Sequence, residues 1–215
     1  MGGFVQDHMV VDPALQHQVI ARVIAARIAD QPAQAVQFLG LVELPDGQVV
    51  QLFARHAADA VLIDEAGQVV LVTRRFSPGA GLLAVPGGFI DEIDGVVEIA
   101  AAAAAREAME ETGIDPALLR RVGCTPIGRR AFNRPFDIRC AWNDPPGTVI
   151  QKGDLFSVSA QAFCFRIPGN LNHIHLQAGD DAKAVSIHAI NHLTPELFAV
   201  PDHLTMIHAA MQGLR

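Results

Sequence analysis

Apolar residues recur at helical spacing from Pro13 to Ile28, where Leu15, Val19, Ile20, Val23, Ile24 and Ile28 form one stripe and Arg22 and Arg27 stand off it. That spacing predicts a helix packed on a partner surface. Two strand-like runs follow, Val36 to Val42 and Val49 to Phe53, joined by Pro45-Asp46-Gly47. Asp-Gly supplies the positive φ that a tight turn needs, so this stretch predicts a hairpin. A second hairpin is predicted from Ala60 to Ile63 and Val69 to Thr73 through Asp64-Glu65-Ala66-Gly67, with Arg74 and Arg75 at its end. Ser77 to Pro86 reads as loop. An alanine run from Ala100 to Ala105 opens a strong helix, and Gly113 closes it by supplying the left-handed conformation of a C-terminal cap. Further strands are predicted near Val122 to Ile127, Phe156 to Phe165 and Val185 to Ile190, and helices near Pro195 to Phe198 and His203 to Met211. The polar loop from Ala131 to Gly153 is long enough to predict a lid or a dimer contact over Asn133 to Asp154. No internal repeat is present.

The chemistry concentrates between Pro86 and Ile114. Glu107, Glu110 and Glu111 fall three and four residues apart, so their carboxylates share a helix face and repel one another. A solvated acidic face is one reading of such a cluster. A hard divalent cation with oxygen ligands is the other, since Mg²⁺ is bound by a few carboxylates together with substrate phosphates. The bend at Pro86-Gly87-Gly88 favours the cation, because glycine lets backbone approach a site closely. Arg106 is placed to orient or neutralise a neighbouring carboxylate.

The run from Gly88 to Ile114 resembles the Nudix box. Glu98, seven intervening residues, and then Arg106, Glu107, Ala108, Met109, Glu110, Glu111, Thr112, Gly113 and Ile114 fit its second half. The first half departs from the pattern: nine residues instead of five separate Gly88 from Glu98, an insertion of four around Asp91 to Val97. Alternatively Asp94 takes the glutamate's place at the usual spacing. Further stretches, PGAGLLAVPGGF from Pro78, GDLFSVSAQAFCFRIPG from Gly153, AGDDAKAVSIHAI from Ala178 and PDHLTMI from Pro201, are similar to ADP-ribose pyrophosphatase-type Nudix domains, notably the Nudix half of bifunctional nicotinamide mononucleotide adenylyltransferases. The resemblance spans about Ala58 to Met211; the adenylyltransferase half is not seen.

This resemblance implies an α/β fold, a Nudix α/β/α sandwich with a mixed sheet. An N-terminal helix and hairpin (1–56) would precede the Nudix domain (57–215), its hairpin serving as a dimer element. It also implies diphosphate hydrolysis with Mg²⁺, or Mn²⁺ as substitute. Glu107, Glu110, Glu111 and the Gly87 carbonyl would be metal ligands, Arg106 would hold a helix carboxylate, and Glu98 keeps an open role. The general base would be Asp180 or Asp181, just before the last strand, although Gly-Asp-Asp is also ordinary turn chemistry. Arg74 and Arg75 would clamp phosphates or end as solvated charges, and Phe89 would touch substrate. The expected reaction is ADP-ribose to AMP and ribose 5-phosphate, with NADH or a nucleotide sugar as alternative substrates. A non-catalytic ADP-ribose sensor is the other class of function.

Composition adds limits. The 215 residues, 50% hydrophobic, suffice for one substantial core, and a net charge of -7 argues against a nucleic-acid surface. Cys124, Cys140 and Cys164 include no CxxC pair, so reduced thiols, a cytoplasmic location and no zinc site are expected. No run of apolar residues is long enough for a bilayer, so no membrane partner is expected. His173 and His175 form a His-x-His pair more simply read as two exposed rings, Trp142 and Phe132 read as interface or stacking residues, and His192 and His203 read as caps or surface contacts.

Overall fold

The computed structural model describes residues 34–43, 47–76, 79–125, 134–135, 155–179 and 181–213. The predicted helix from Pro13 to Ile28, most of the 131–153 loop with Trp142, and Phe132 and Asp180 lie outside these residues. The chain divides into two compact units, one drawn from 1–57, 89–99 and 129–160, the other from 58–88, 100–128 and 161–215.

Eleven strands and two α-helices are described: β1 (Val36–Glu43), β2 (Val49–Ile63), β3 (Gln68–Arg74), β4 (Leu83–Ala84), β5 (Gly87–Phe89), β6 (Glu92–Ile93), β7 (Val96–Val97), α1 (Ala100–Thr112), β8 (Arg120–Thr125), β9 (Arg134–Pro135), β10 (Leu155–Arg166), β11 (Ala182–Ala189) and α2 (Asp202–Gly213). Strands run in the order β11-β3-β2-β10-β8; β1 and β5 pair with β2, β4 with β3 and β9 with β10. Helices and a multi-strand sheet make the α/β architecture that the sequence predicts. A parallel bridge joins Leu83 to Phe198 beside the antiparallel ladders.

In the first unit, β1 and β2 form the predicted hairpin, from Val36 opposite Arg55 to Glu43 opposite Val49, with a register shift between Phe38 and Gly40. Gly40 takes φ 127° there, a value that glycine tolerates. Phe38 meets Phe53 edge-on at 5.6 Å, yet Phe38, Leu41 and Val49 remain exposed. The inserted residues before Glu98 form a separate hairpin of β6 and β7. Its two turn residues, Asp94 (φ 53°) and Gly95 (φ 75°), are both left-handed, as the tightest hairpin turns require.

In the second unit, side chains alternate across the strands. Val61, Ile63, Val69 and Leu71 share one buried cluster with Leu204, Met206, Ile207 and Ala210 of α2. Their neighbours on the opposite face, Leu62 and Val70, are fully buried as well, so both faces of the sheet are covered. α1 packs beside β11 and α2 beside β8. The turn from Asp64 to Gly67 is fixed by Asp64: its Oδ1 accepts the N–H groups of Ala66 and Gln68 at 2.9 and 2.8 Å, and its Oδ2 accepts that of Leu171 at 3.1 Å.

Three expectations change. β2 is one strand from Val49 to Ile63 instead of two separate runs, Pro195–Leu197 is a 3₁₀ turn and no α-helix, and part of the predicted 77–86 loop is strand β4. Among the described residues no helix is long and apolar enough to cross a membrane.

Candidate active site

α1 carries the site because of where its buried stripe ends. Ala100, Ala103, Ala104, Glu107, Ala108, Glu111 and Thr112 are buried, the i, i+3, i+4 spacing of a core-facing helix. Alanine fills that stripe until two carboxylates interrupt it. The helix stops at Gly113, whose φ of 65° and N–H bond to the Met109 carbonyl (2.9 Å) cap it as the sequence predicts. Thr112 turns its hydroxyl back to the Ala108 carbonyl at 2.5 Å. The 177–179 segment takes up two more terminal carbonyls, through Gln177 N–H to Thr112 (2.8 Å) and Gly179 N–H to Glu111 (3.2 Å).

The Pro86-Gly87-Gly88 bend faces those carboxylates. Gly87 N–H donates to Glu111 Oε2 at 3.0 Å. A Cβ on Gly88 would overlap the Glu107 carboxylate. One on Gly87 would overlap the Asp59 carboxylate and fall 2.8 Å from both the Ala58 carbonyl oxygen and the Asp59 Cα. Backbone leaves no space for a side chain at Gly87, whereas one at Gly88 would displace the Glu107 carboxylate.

Arg106 Nη1 lies 2.8 Å from Glu107 Oε1 and 2.9 Å from Glu110 Oε2, so one guanidinium nitrogen bridges the two acids. Glu110 is exposed, whereas Glu107 and Glu111 are buried. Burial pushes the Glu111 carboxyl up to about 8; the charges of Glu107 and Asp181 push the same way, while the Gly87 bond and Arg74 oppose them. Burial therefore favours the protonated form of Glu111 when no cation is bound.

The sequence-predicted residues separate by position. Arg74 and Asp181 both act on Glu111 electrostatically. Arg75 is committed elsewhere: its Nη2 donates to the Ala182 carbonyl at 2.9 Å and its N–H to the Asp181 carbonyl at 3.0 Å, which fixes the start of β11. Phe89 and Glu98 belong to the first unit. The Arg55 guanidinium stacks 3.5 Å from the centroid of the Phe89 ring. Glu98 closes the base of the inserted hairpin, accepting the Asp91 N–H at 3.4 Å and donating its own N–H to the Asp91 carbonyl at 2.9 Å. Asp94 sits exposed at the hairpin tip, and both it and Glu98 precede α1. His173, His175 and His192 are exposed.

His203 corrects the surface reading. It is 2% exposed, and its Nδ1 accepts the Val85 N–H at 3.3 Å. Asp59, also 2% exposed, is a second residue that the sequence reading missed. The available signal was one acid within the apolar run from Ala57 to Ile63.

The donors suit a hard divalent cation: all are oxygens, and two buried acids carry charge that burial disfavours. Among the described residues no three acidic, imidazole or thiol side chains converge on one point. Glu107 leans instead to Arg106, and Glu111 to Gly87.

A family profile described as the NUDIX domain matches residues 54–143. An ADP-ribose pyrophosphatase of Methanocaldococcus jannaschii is 30% identical over 154 residues, covering 71% of this chain and 72% of that protein. The chain belongs to the Nudix family and is a hydrolase acting on pyrophosphate bonds, an enzyme class that generally uses divalent metal ions. Similar solved structures include a bifunctional NMN adenylyltransferase/ADP ribose pyrophosphatase from Francisella tularensis, complexed with AMP and a manganese ion. It is 24% identical with a TM-score of 0.44, over 73% of this chain and 41% of that one. Another is the NUDIX domain of Shewanella oneidensis NrtR complexed with ADP ribose, 20% identical with a TM-score of 0.49, over 80% and 94% of the two chains.

Proposed function

We propose that this enzyme hydrolyses ADP-ribose to AMP and ribose 5-phosphate with Mg²⁺, Mn²⁺ serving as a substitute. The observation that carries the reading is the pair of buried carboxylates, Glu107 and Glu111, set against the Gly87-Gly88 bend. The substrate comes from the 30%-identical relative, an ADP-ribose pyrophosphatase.

Glu107 and Glu111, with Glu110 and the Gly87 carbonyl, would hold the cation. When bound, it supplies neutralisation of phosphate charge and a lowered pKa for the attacking water. Arg106 keeps Glu107 and Glu110 oriented, and Arg74 contacts the phosphates. Asp181 receives a proton from the water, whose oxygen joins one phosphorus while the bridging oxygen leaves on the other phosphate. The exposed Phe38, Leu41 and Val49 of the first hairpin support a homodimer, and a cytoplasmic location completes the proposal.

The test is a panel of ADP-ribose, NADH, nucleotide sugars and nucleoside triphosphates, with and without Mg²⁺, scored for AMP and phosphate. Metal-dependent AMP release chiefly from ADP-ribose supports the reading. Faster turnover of NADH or a nucleotide sugar replaces the substrate, and saturable ADP-ribose binding without products replaces the enzyme with a sensor.

A further inference from the structure

The Val85-Pro86-Gly87 segment aims one N–H at Glu111, and three contacts from two other elements hold that segment in place. From α2, the buried His203 accepts the Val85 N–H through Nδ1 at 3.3 Å. From β2, Ala60 N–H donates to the Pro86 carbonyl at 2.7 Å. Also from β2, the buried Asp59 carboxylate lies against the Gly87 α-carbon so closely that no Cβ fits between them. The Ala60 bond is ordinary strand pairing. The other two contacts come from polar side chains, each 2% exposed, where an apolar residue would fill the same space without the cost of burying a polar group.

We propose that Asp59 and His203 are positioning residues for hydrolysis: they clamp Val85 and Gly87 from two sides, and through the Gly87 N–H they fix where the Glu111 carboxylate points. His203 contributes direction as well as packing. A ring nitrogen that accepts from backbone carries no proton, so His203 serves as the neutral tautomer protonated at Nε2. Asp59 fills the space beside the Gly87 α-carbon, which keeps the Gly87 N–H within bonding distance of Glu111. Outer groups that orient a metal ligand change metal affinity or activity by about 10- to 100-fold when removed.

The inference rests on Glu111 being a ligand for the divalent cation, and the test separates the two. Asp59→Ala removes the carboxylate that lies against Gly87, Asp59→Asn keeps its shape, His203→Leu removes the acceptor, and His203→Asn returns an acceptor oxygen near the Nδ1 position. Each full-length variant is measured for melting temperature, for Mn²⁺ affinity by electron paramagnetic resonance, and for kcat and KM on whichever panel substrate the parent turns over fastest. Asp59→Ala and His203→Leu are expected to weaken Mn²⁺ binding and lower kcat by about 10- to 100-fold, with KM within about twofold and the shape-keeping Asp59→Asn and His203→Asn largely restored. Neither substitution should add to the loss already caused by Glu111→Gln, because both act through that carboxylate. Unchanged Mn²⁺ affinity and kcat in folded Asp59→Ala and His203→Leu overturns the proposal, as do losses that multiply with Glu111→Gln. Should either of those two fail to fold, folded His203→Asn decides: activity no better than that of Glu111→Gln overturns the proposal, and near-parent Mn²⁺ affinity supports it. If ADP-ribose is not a substrate, Mn²⁺ affinity still tests the clamp; if Glu111→Gln leaves Mn²⁺ affinity unchanged, the ligand assignment fails instead.

Discussion

The α-carbon of Gly88 lies against the carboxylate of Glu107 with no room for a methyl group between them, while the neighbouring Gly87 is hemmed in by backbone. The two glycines therefore fail differently. In Gly88→Ala the obstacle is the far end of a flexible side chain, so Glu107 swings aside, the fold survives, and the carboxylate is lost to the site. Expected are a kcat lower by about 10- to 100-fold and a stability change below about 1 kcal/mol. In Gly87→Ala the Ala58 carbonyl and the Asp59 backbone cannot yield, so stability falls by about 1–3 kcal/mol as well. Urea denaturation beside steady-state kinetics separates the two. Equal destabilisation of both variants would refute this account.

The site helix was legible because its signals are local. The alanine run, the carboxylate spacing and Gly113 each act within a few residues, and α1 begins and ends where they place it. β2 was less legible. Arg55, His56 and Asp59 interrupt its apolar pattern, and they are tolerated only because partners elsewhere in the chain cover them. The inserted hairpin carried its own signature in Asp94-Gly95 between Ile93 and Val96, which competed with reading Asp94 as a displaced box glutamate. His203 reads as a cap or surface contact of a late helix, and only the tertiary fold brings its ring to Val85.

Glu111 links the site to stability. Its carboxyl is raised from 4.5 to about 8, chiefly by burial. The folded state keeps a proton that the unfolded chain releases near 4.5, so the stability this group contributes is complete below that pH and is lost as pH climbs to about 8. Metal-free protein should melt at a lower temperature at pH 8 than at pH 5. Added Mg²⁺ should restore more at pH 8, because it binds the ionised form. In Glu111→Gln the neutral amide still accepts the Gly87 N–H, so that contribution to the slope disappears while turnover falls by orders of magnitude. Wild-type turnover in this variant would sink the metal assignment.

Arg74 and Arg75 are adjacent but have different tasks. Arg74 acts on Glu111, whereas the Arg75 guanidinium is bonded to the Ala182 carbonyl. Arg74→Ala is expected to raise KM for a diphosphate substrate by about tenfold, the worth of a charge-assisted contact. Arg75→Ala should leave KM within about twofold and lower stability by about 1 kcal/mol through the lost hydrogen bond. Initial-rate kinetics with matched melting curves checks both, and a larger KM effect at Arg75 would reverse the assignment.

His56 acts in the opposite direction on pH. Buried in β2 at 2% exposure, with no hydrogen-bond partner for Nδ1, it is held neutral and its pKa is lowered from 6.5 to about 4 by burial. The unfolded chain takes up a proton that the folded one refuses, so the stability associated with His56 is present above pH 6.5 and is lost as pH falls toward 4. An orphaned buried nitrogen also costs stability at neutral pH. His56→Leu, close in volume and apolar, should gain about 1 kcal/mol at pH 7. Its advantage should widen on acidification from pH 6.5 to 4, because leucine has nothing to protonate. Comparing the two proteins at each pH cancels the Glu111 contribution, which is common to both. Urea denaturation across that range is the measurement; parallel curves, or a less stable leucine variant at pH 7, would show that the imidazole is satisfied in solution.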